Sequence, residues 1–335
     1  MTKIYLIRHA EAEGNIFRRM HGWYDSSVTP NGLRQIEALR KRFAEIPIDA
    51  VYSSDLVRTQ TTAAAIWKPK GLTLQTDSRF REIHVGAWED LPFGQLGREA
   101  PEANRAFSKD PQHWHVEGAE TYDEYVSRFM QALEEVVRRH ERKSVAIFSH
   151  GMVLRSVIAH LFCEDSVRGL GHSENTAVSE ITWRNGAYRL DYLFDAKHLP
   201  QELTTLGRQM WWRGREHQDM NFWYRPATEE ERAALDGVQS GDHAFIAMQG
   251  ENVAGAVVLR DDGSETGLIV HLGLLPQYRR RGLAPQLLGC AVSAFRTEGK
   301  TMLRLAQKPP EEARAFFVRF RLSESMPVSL VPQIR

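Results

Sequence analysis

Four short apolar runs in the first half of the chain, residues 4–7, 50–53, 72–76 and 145–149, each stop at polar or turn residues, and stretches of helical periodicity separate them. Runs of that length, bounded in that way, read as strands buried on both faces. Between them Thr29 and Pro30 stand as N-cap and first helical residue ahead of Ile36, Leu39 and Phe43. Thr121 with Glu124 makes a capping box, followed by Tyr122, Tyr125, Phe129, Leu133 and Val136 on one face. Strands alternating with helices dictate an α/β fold of three layers, a mainly parallel sheet covered on both sides. After Asn175 the pattern changes: two alternating runs flank Asn185-Gly186, the strongest short hairpin signal, which predicts a hairpin at the sheet edge.

The chain has 335 residues, which suits two domains. We place the first at residues 1–205 and the second at 207–335. The connection around residues 200–222 carries Trp211 and Trp212, with Trp223 beside it, so a packed connection is expected rather than a solvated tether. From Phe222 onward come a short strand, a Glu-rich helix around residues 229–235, and strands at 244–248, 253–260 and 268–275. The last leads into Arg279-Arg280-Arg281-Gly282 and a further helix, an α+β order.

With 42% hydrophobic and 26% charged residues the composition excludes the disordered, fibrous and membrane classes. Lysine plus arginine number 43 and aspartate plus glutamate 43, which argues against a dedicated nucleic-acid binder and makes any anion site local. The apolar run before Arg8 is too short for a signal sequence or a membrane span, so a cytoplasmic protein without membrane partners is expected. The two cysteines, Cys163 and Cys290, read as core thiols.

In a doubly wound sheet, ligands bind beyond the carboxyl ends of the strands. The first strand delivers Arg8 and His9, the 145–149 strand delivers His150 and Gly151, and the 50–53 strand opens a helix in which Ser54 or Asp55 is the expected cap and Arg58 sits in the first turn. Two arginines, two histidines and a helix N-terminus converging on one point suit a dianionic phosphate.

LIRHAEAEGN resembles the signature of the histidine phosphatase, or phosphoglycerate-mutase-like, superfamily. GWYDSSVTPNGLRQ, SSDLVRTQTTA, FREIHVGAWED, FSHG and LFDAKHL are similar to its later motifs, over about residues 1–200. The resemblance implies that His9 accepts the phosphoryl group and that Arg8, Arg58 and His150, with Asn15 as a further donor, hold its oxygens without a metal. Glu82 would protonate the leaving group and then activate water. Ala10 stands where that family usually has Gly, Ala12 where a Thr hydroxyl often reaches the phosphate, and Asp90 where a Gly is common, a change expected to narrow or acidify the substrate mouth. His84 is a possible pocket residue outside the pattern. His21, with Arg18 and Arg19, is expected either to bind a second anionic group of the substrate or to belong to a solvated loop. The short connection between Glu82 and Thr121 favours hydrolysis of a small phosphorylated metabolite over phosphoglycerate mutase-type transfer.

HLGLLPQYRRRGLAPQLL is similar to the pyrophosphate-binding segment of the GNAT acyltransferases. Arg279, Arg280, Arg281, Gly282, Leu283 and Ala284 would form the turn that cradles the diphosphate of acetyl-CoA, with Pro285 in the first helical turn. PPEEARAFFVRFRL resembles that family's terminal helix, yet Pro310 replaces its Asn, Phe317 its acidic Tyr and Arg321 its Gly. His271 occupies a strand position where an acidic base is frequent. The second domain is therefore either an N-acetyltransferase with another proton donor or a non-catalytic acyl-CoA-binding module.

Overall fold

The computed structural model describes residues 1–209 and 220–334. The first half contains β1 (Thr2–Arg8), α1 (Glu13–Phe17), α2 (Pro30–Arg42), β2 (Ala50–Ser53), α3 (Val57–Trp67) and β3 (Leu74–Thr76). These are followed by α4 (Phe93–Glu99), α5 (Pro101–Lys109), α6 (Tyr122–Arg139), β4 (Ser144–Ser149), α7 (Gly151–Phe162), β5 (Val178–Arg184) and β6 (Ala187–Asp195). The sheet order is β3-β2-β4-β1-β5-β6; the first four strands run parallel, while β5 pairs antiparallel with both β1 and β6. The β5–β6 turn puts Asn185 at φ 52° and Gly186 at φ 83°, the left-handed pair that Asn-Gly tolerates.

Alternation along β1 builds the three layers. Ile4 and Leu6 enter a core with Phe129, Leu133, Val153 and Val157 of α6 and α7. Tyr5 and Ile7 point the other way, to Leu39 of α2, Phe43, and Ala63 and Ile66 of α3. Each fully buried side chain of this size stabilises the fold by about 1.5–3 kcal/mol. Thr29 accepts the Gly32 N–H at the start of α2, and Thr121 and Glu124 form the expected capping box on α6.

Two local expectations need correction. The third strand starts at Leu74 rather than residue 72. Neither Ser54 nor Asp55 caps α3. Asp55 pairs with Arg81, and both carboxylate oxygens of Asp25 accept the Val57 N–H from a distant loop. Cys290 is buried as expected, whereas Cys163, at the end of α7, is only partly so.

The second half contains β7 (Trp223–Pro226), α8 (Glu229–Ala233), β8 (His243–Gln249), β9 (Asn252–Asp261), β10 (Thr266–Leu274), α9 (Ala284–Thr297), β11 (Met302–Leu305), α10 (Glu311–Arg319) and β12 (Val328–Ser329). Its sheet has the order β12-β11-β10-β9-β8-β7, with β10 and β11 parallel and the other pairs antiparallel. Leu287, Leu288, Ala291 and Phe295 of α9 pack into the second core.

The halves are joined through α1 and α9. Phe17 of α1 belongs to the second core, and a Cβ on Gly289 of α9 would fall 2.5 Å from the Phe17 Cβ, so only glycine admits this approach. Arg296 pairs with Glu13 at 2.9 Å. After β6 the chain stays on the first half: the Thr205 hydroxyl donates to Glu11, and the Leu206 N–H to Glu174. The expectation for Trp211 and Trp212 lies outside the described residues, while Trp223 is partly buried in β7. Among the described residues no helix is long and apolar enough to cross a membrane.

Candidate active site

The parallel strands β1, β2 and β4 finish side by side, and the residues that follow them surround one cavity of about 700 Å³. Arg8, His9, Asn15, His21, Arg58 and Glu82 line it. His150 stands behind them, fully buried, its ring 5.3 Å from that of His9.

His9 is 6% exposed, and its Nδ1 lies 2.8 Å from the Ala10 carbonyl oxygen. A carbonyl can only accept, so Nδ1 carries the proton and Nε2 keeps its lone pair. Burial first, then the guanidiniums of Arg58 and Arg8, hold the imidazole well below its usual pKa. The ring is neutral at pH 7. Its backbone is fixed by Asn175, whose amide donates to the His9 carbonyl, while Thr62 accepts the Ala10 N–H.

Arg58 donates to the carbonyls of Gly22 and Tyr24 and to Nδ1 of His150. Since guanidinium is only a donor, His150 keeps its proton on Nε2, where the Ser54 hydroxyl accepts at 3.0 Å. Burial, reinforced by Arg58, lowers the pKa of His150 as well. Arg8 donates through one terminal nitrogen to the Ser173 carbonyl, while its Nε is buried without a partner among the described residues. An orphaned buried cationic donor is costly unless an anion meets it.

Glu82 accepts the N–H groups of Ile83, Met152 and Val153, so its carboxylate closes the N-terminus of α7, whose N-cap residue His150 supplies no side-chain cap. Asn15 accepts the Ala12 N–H through its carbonyl oxygen, which leaves the amide NH2 with donors to offer. Ala10 does not adopt a left-handed φ, so glycine is not required there, and Ala12 lines the cavity without a hydroxyl.

Three expectations change here. His84 is not a pocket residue: its Nδ1 donates to the Gly118 carbonyl and its ring lies against Trp23. Asp90 does not acidify the mouth. It sits at φ 59°, the conformation that favours glycine, and its carboxylate takes Arg19, His21 and Ser293 of α9. Although burial alone would raise it, the His21 hydrogen bond and the Arg19 charge pull that carboxyl down to about 2. Consequently Arg19 and His21 do not belong to a solvated loop, and burial lowers the His21 pKa despite Asp90.

Sequence reasoning missed Asn175, Thr62 and Asp25, which position the site, and gave Ser54 the role of a cap rather than of a partner to His150. Only their place beside strand ends or in matched motifs could have drawn attention to them.

In the second half, Arg280 and Gly282 adopt φ 58° and 74°, and nothing lies within 4 Å of a Cβ built on Gly282. The β10–β11 pairing ends at Ile269 and Leu305, and β10 is bulged between Ile269 and His271. Phe317 is 5% exposed within the second core, and Arg321 holds φ 60°, which explains the glycine usual at that position.

The family model for the histidine phosphatase superfamily (branch 1) matches residues 4–196, and that for the acetyltransferase (GNAT) family matches residues 208–321. The chain is 31% identical over 206 residues to a metal-independent phosphoserine phosphatase of Arabidopsis thaliana, covering 59% of this chain and 84% of that one. It is 31% identical over 165 residues to phosphoserine phosphatase 1 of Hydrogenobacter thermophilus, covering 49% and 78%. The structure of Bacillus stearothermophilus YhfR superposes with a TM-score of 0.56 at 29% identity, over 59% of this chain and 99% of that one.

Proposed function

The chain belongs to the histidine phosphatase superfamily and carries a GNAT-family domain behind it, and we propose on that footing that it hydrolyses a small phosphorylated metabolite through a phosphohistidine. The observation that carries this reading is the His9 tautomer, a neutral ring whose Nε2 lone pair is free in a cavity lined by Arg8 and Arg58. His9 Nε2 attacks phosphorus and the ester P–O bond breaks as Glu82, in its acid form, gives the alkoxide a proton. Water then attacks the phosphohistidine, Glu82 takes the water proton, and inorganic phosphate leaves with His9 restored. Arg8, through its unpartnered Nε, Arg58 and the Asn15 amide hold the equatorial oxygens, while His150 fixes Arg58. The names of the two relatives support water, rather than a second hydroxyl as in a mutase, as the acceptor.

Hydrolysis of p-nitrophenyl phosphate by the full chain tests this. It survives EDTA, releases inorganic phosphate and is abolished in His9→Ala; turnover retained in that variant overturns the phosphohistidine.

For the second half the same reading divides the chain at about residue 206 and assigns acyl-CoA to Arg279, Arg280, Arg281, Gly282, Leu283 and Ala284. The left-handed turn ahead of α9 supports it, since no acceptor among the described residues takes the N–H groups of Arg280 to Leu283. Bound acetyl-CoA would supply an activated acyl group. The burial of Phe317 favours binding over efficient transfer, and His271, whose pKa burial lowers, is the base nearest the end of the β10–β11 pairing.

A further inference from the structure

Residues from both halves line the cavity that holds His9. Asn221, Trp223, Gly250 and Glu251 of the second half stand in the same wall as residues of α4 and α5. Three consecutive residues make this junction. The Asn221 side-chain oxygen accepts from Arg18 Nε at 2.9 Å. The Phe222 backbone lies so close to Gly94 that a Cβ there would fall 2.3 Å from it. The Arg98 guanidinium sits 3.9 Å from the centre of the Trp223 ring. Phe222 is fully buried and its N–H donates to Gln286 of α9, so the junction is anchored in the second core. The Trp223 indole N–H donates to the Gly250 carbonyl, which ties the β8–β9 turn, and Glu251 with it, to the same edge.

On α5, Pro101, Asn104, Arg105 and Ser108 recur at helical spacing and all line the cavity, together with Arg98 and Lys109. Arg98, Arg105 and Lys109 have no ion pair among the described residues. In a chain of zero net charge, three such cations lining one cavity add a local positive field to that of Arg8 and Arg58.

We propose that the second half forms the outer wall of the phosphatase pocket and shares in choosing its substrate, a phosphomonoester whose alcohol carries a second anionic group. Arg98, Arg105 and Lys109 hold that group, and Glu251, in the same mouth, opposes it and limits how tightly it is held. This rests on the phosphatase reading of the site.

The test compares kcat/KM of the full chain for phenyl phosphate and 4-carboxyphenyl phosphate, which differ by one distal carboxylate. The wild type favours the carboxylated ester about five- to tenfold, as a few partly screened charge contacts allow. Arg105→Gln brings the ratio toward one, while Glu251→Gln raises it about threefold and Glu251→Lys further. Both positions are exposed, so folding is not at risk. Equal use of the two esters by the wild type overturns the anion subsite. A ratio indifferent to Glu251→Gln and Glu251→Lys overturns the part of the second half. Were neither ester hydrolysed, the phosphatase reading would fall instead, and calorimetric affinities of the same two esters would decide the wall by the same ratio.

Discussion

The Ser293 hydroxyl on α9 donates a 2.5 Å hydrogen bond to the carboxylate of Asp90, a residue 203 positions earlier beside the phosphatase cavity. Through Asp90, Arg19 and His21 are held in the same joint, Arg19 also donating to Ser293. The loop that carries Asp90 and the helix that follows the Arg280–Gly282 turn therefore share one partly buried polar cluster.

Asp90→Gly removes that cluster while relieving a left-handed backbone worth about 1 kcal/mol. The loss of the carboxylate that Arg19 and His21 share dominates, and the variant loses about 2–4 kcal/mol in urea unfolding. A variant as stable as the wild type would mean that the joint contributes nothing.

Glu82→Gln tests a residue with two duties. As general acid, Glu82 matters most for poor leaving groups, so an alkyl phosphate slows about 10² to 10⁴-fold and an activated aryl phosphate much less. The substitution also sets an amide NH2 against the N–H of either Met152 or Val153, whichever way the amide turns, and thermal unfolding records a loss of about 1–2 kcal/mol. Equal slowing of both esters would assign Glu82 to the structural duty alone.

Stability falls with acidity in a definite window. Burial lowers the pKa values of His9, His150 and His21, and brings His172 and His198 down to about 4. Below about pH 6.5 the unfolded chain takes up protons that the folded chain refuses, so stability is complete above that pH and lost as it drops toward the folded values. Each histidine adds up to about 1.4 kcal/mol per pH unit to the slope. Urea midpoints between pH 7 and 5 check this; a flat profile would contradict it.

Calorimetry with acetyl-CoA should show binding to the wild type and none to Gly282→Glu, which brings a carboxylate and a strained φ to the turn. Absence of heat with the wild type ends the acyl-CoA reading. Phe317→Tyr should not restore brisk transfer to a small amine, because that side chain lies in the core, and its hydroxyl would cost about 1–3 kcal/mol there.

The sequence by itself determined what depends on neighbours along the chain. Thr29, Thr121 with Glu124, and Asn185-Gly186 specify caps and a turn within four residues, and apolar runs ending in Arg8-His9 and His150 specify strands that deliver those groups to one sheet edge. Tertiary structure decided whatever needed a partner far away. Asp25 rather than Ser54 or Asp55 serves α3, Glu82 closes α7, and Asp90 turns from the mouth to α9, because each carboxylate goes to the unsatisfied donors nearest in space. The placing of Trp223 and Glu251 in the phosphatase cavity depends on how closely Gly289 lets α9 approach Phe17, a fit between surfaces that no spacing of residues along the chain encodes.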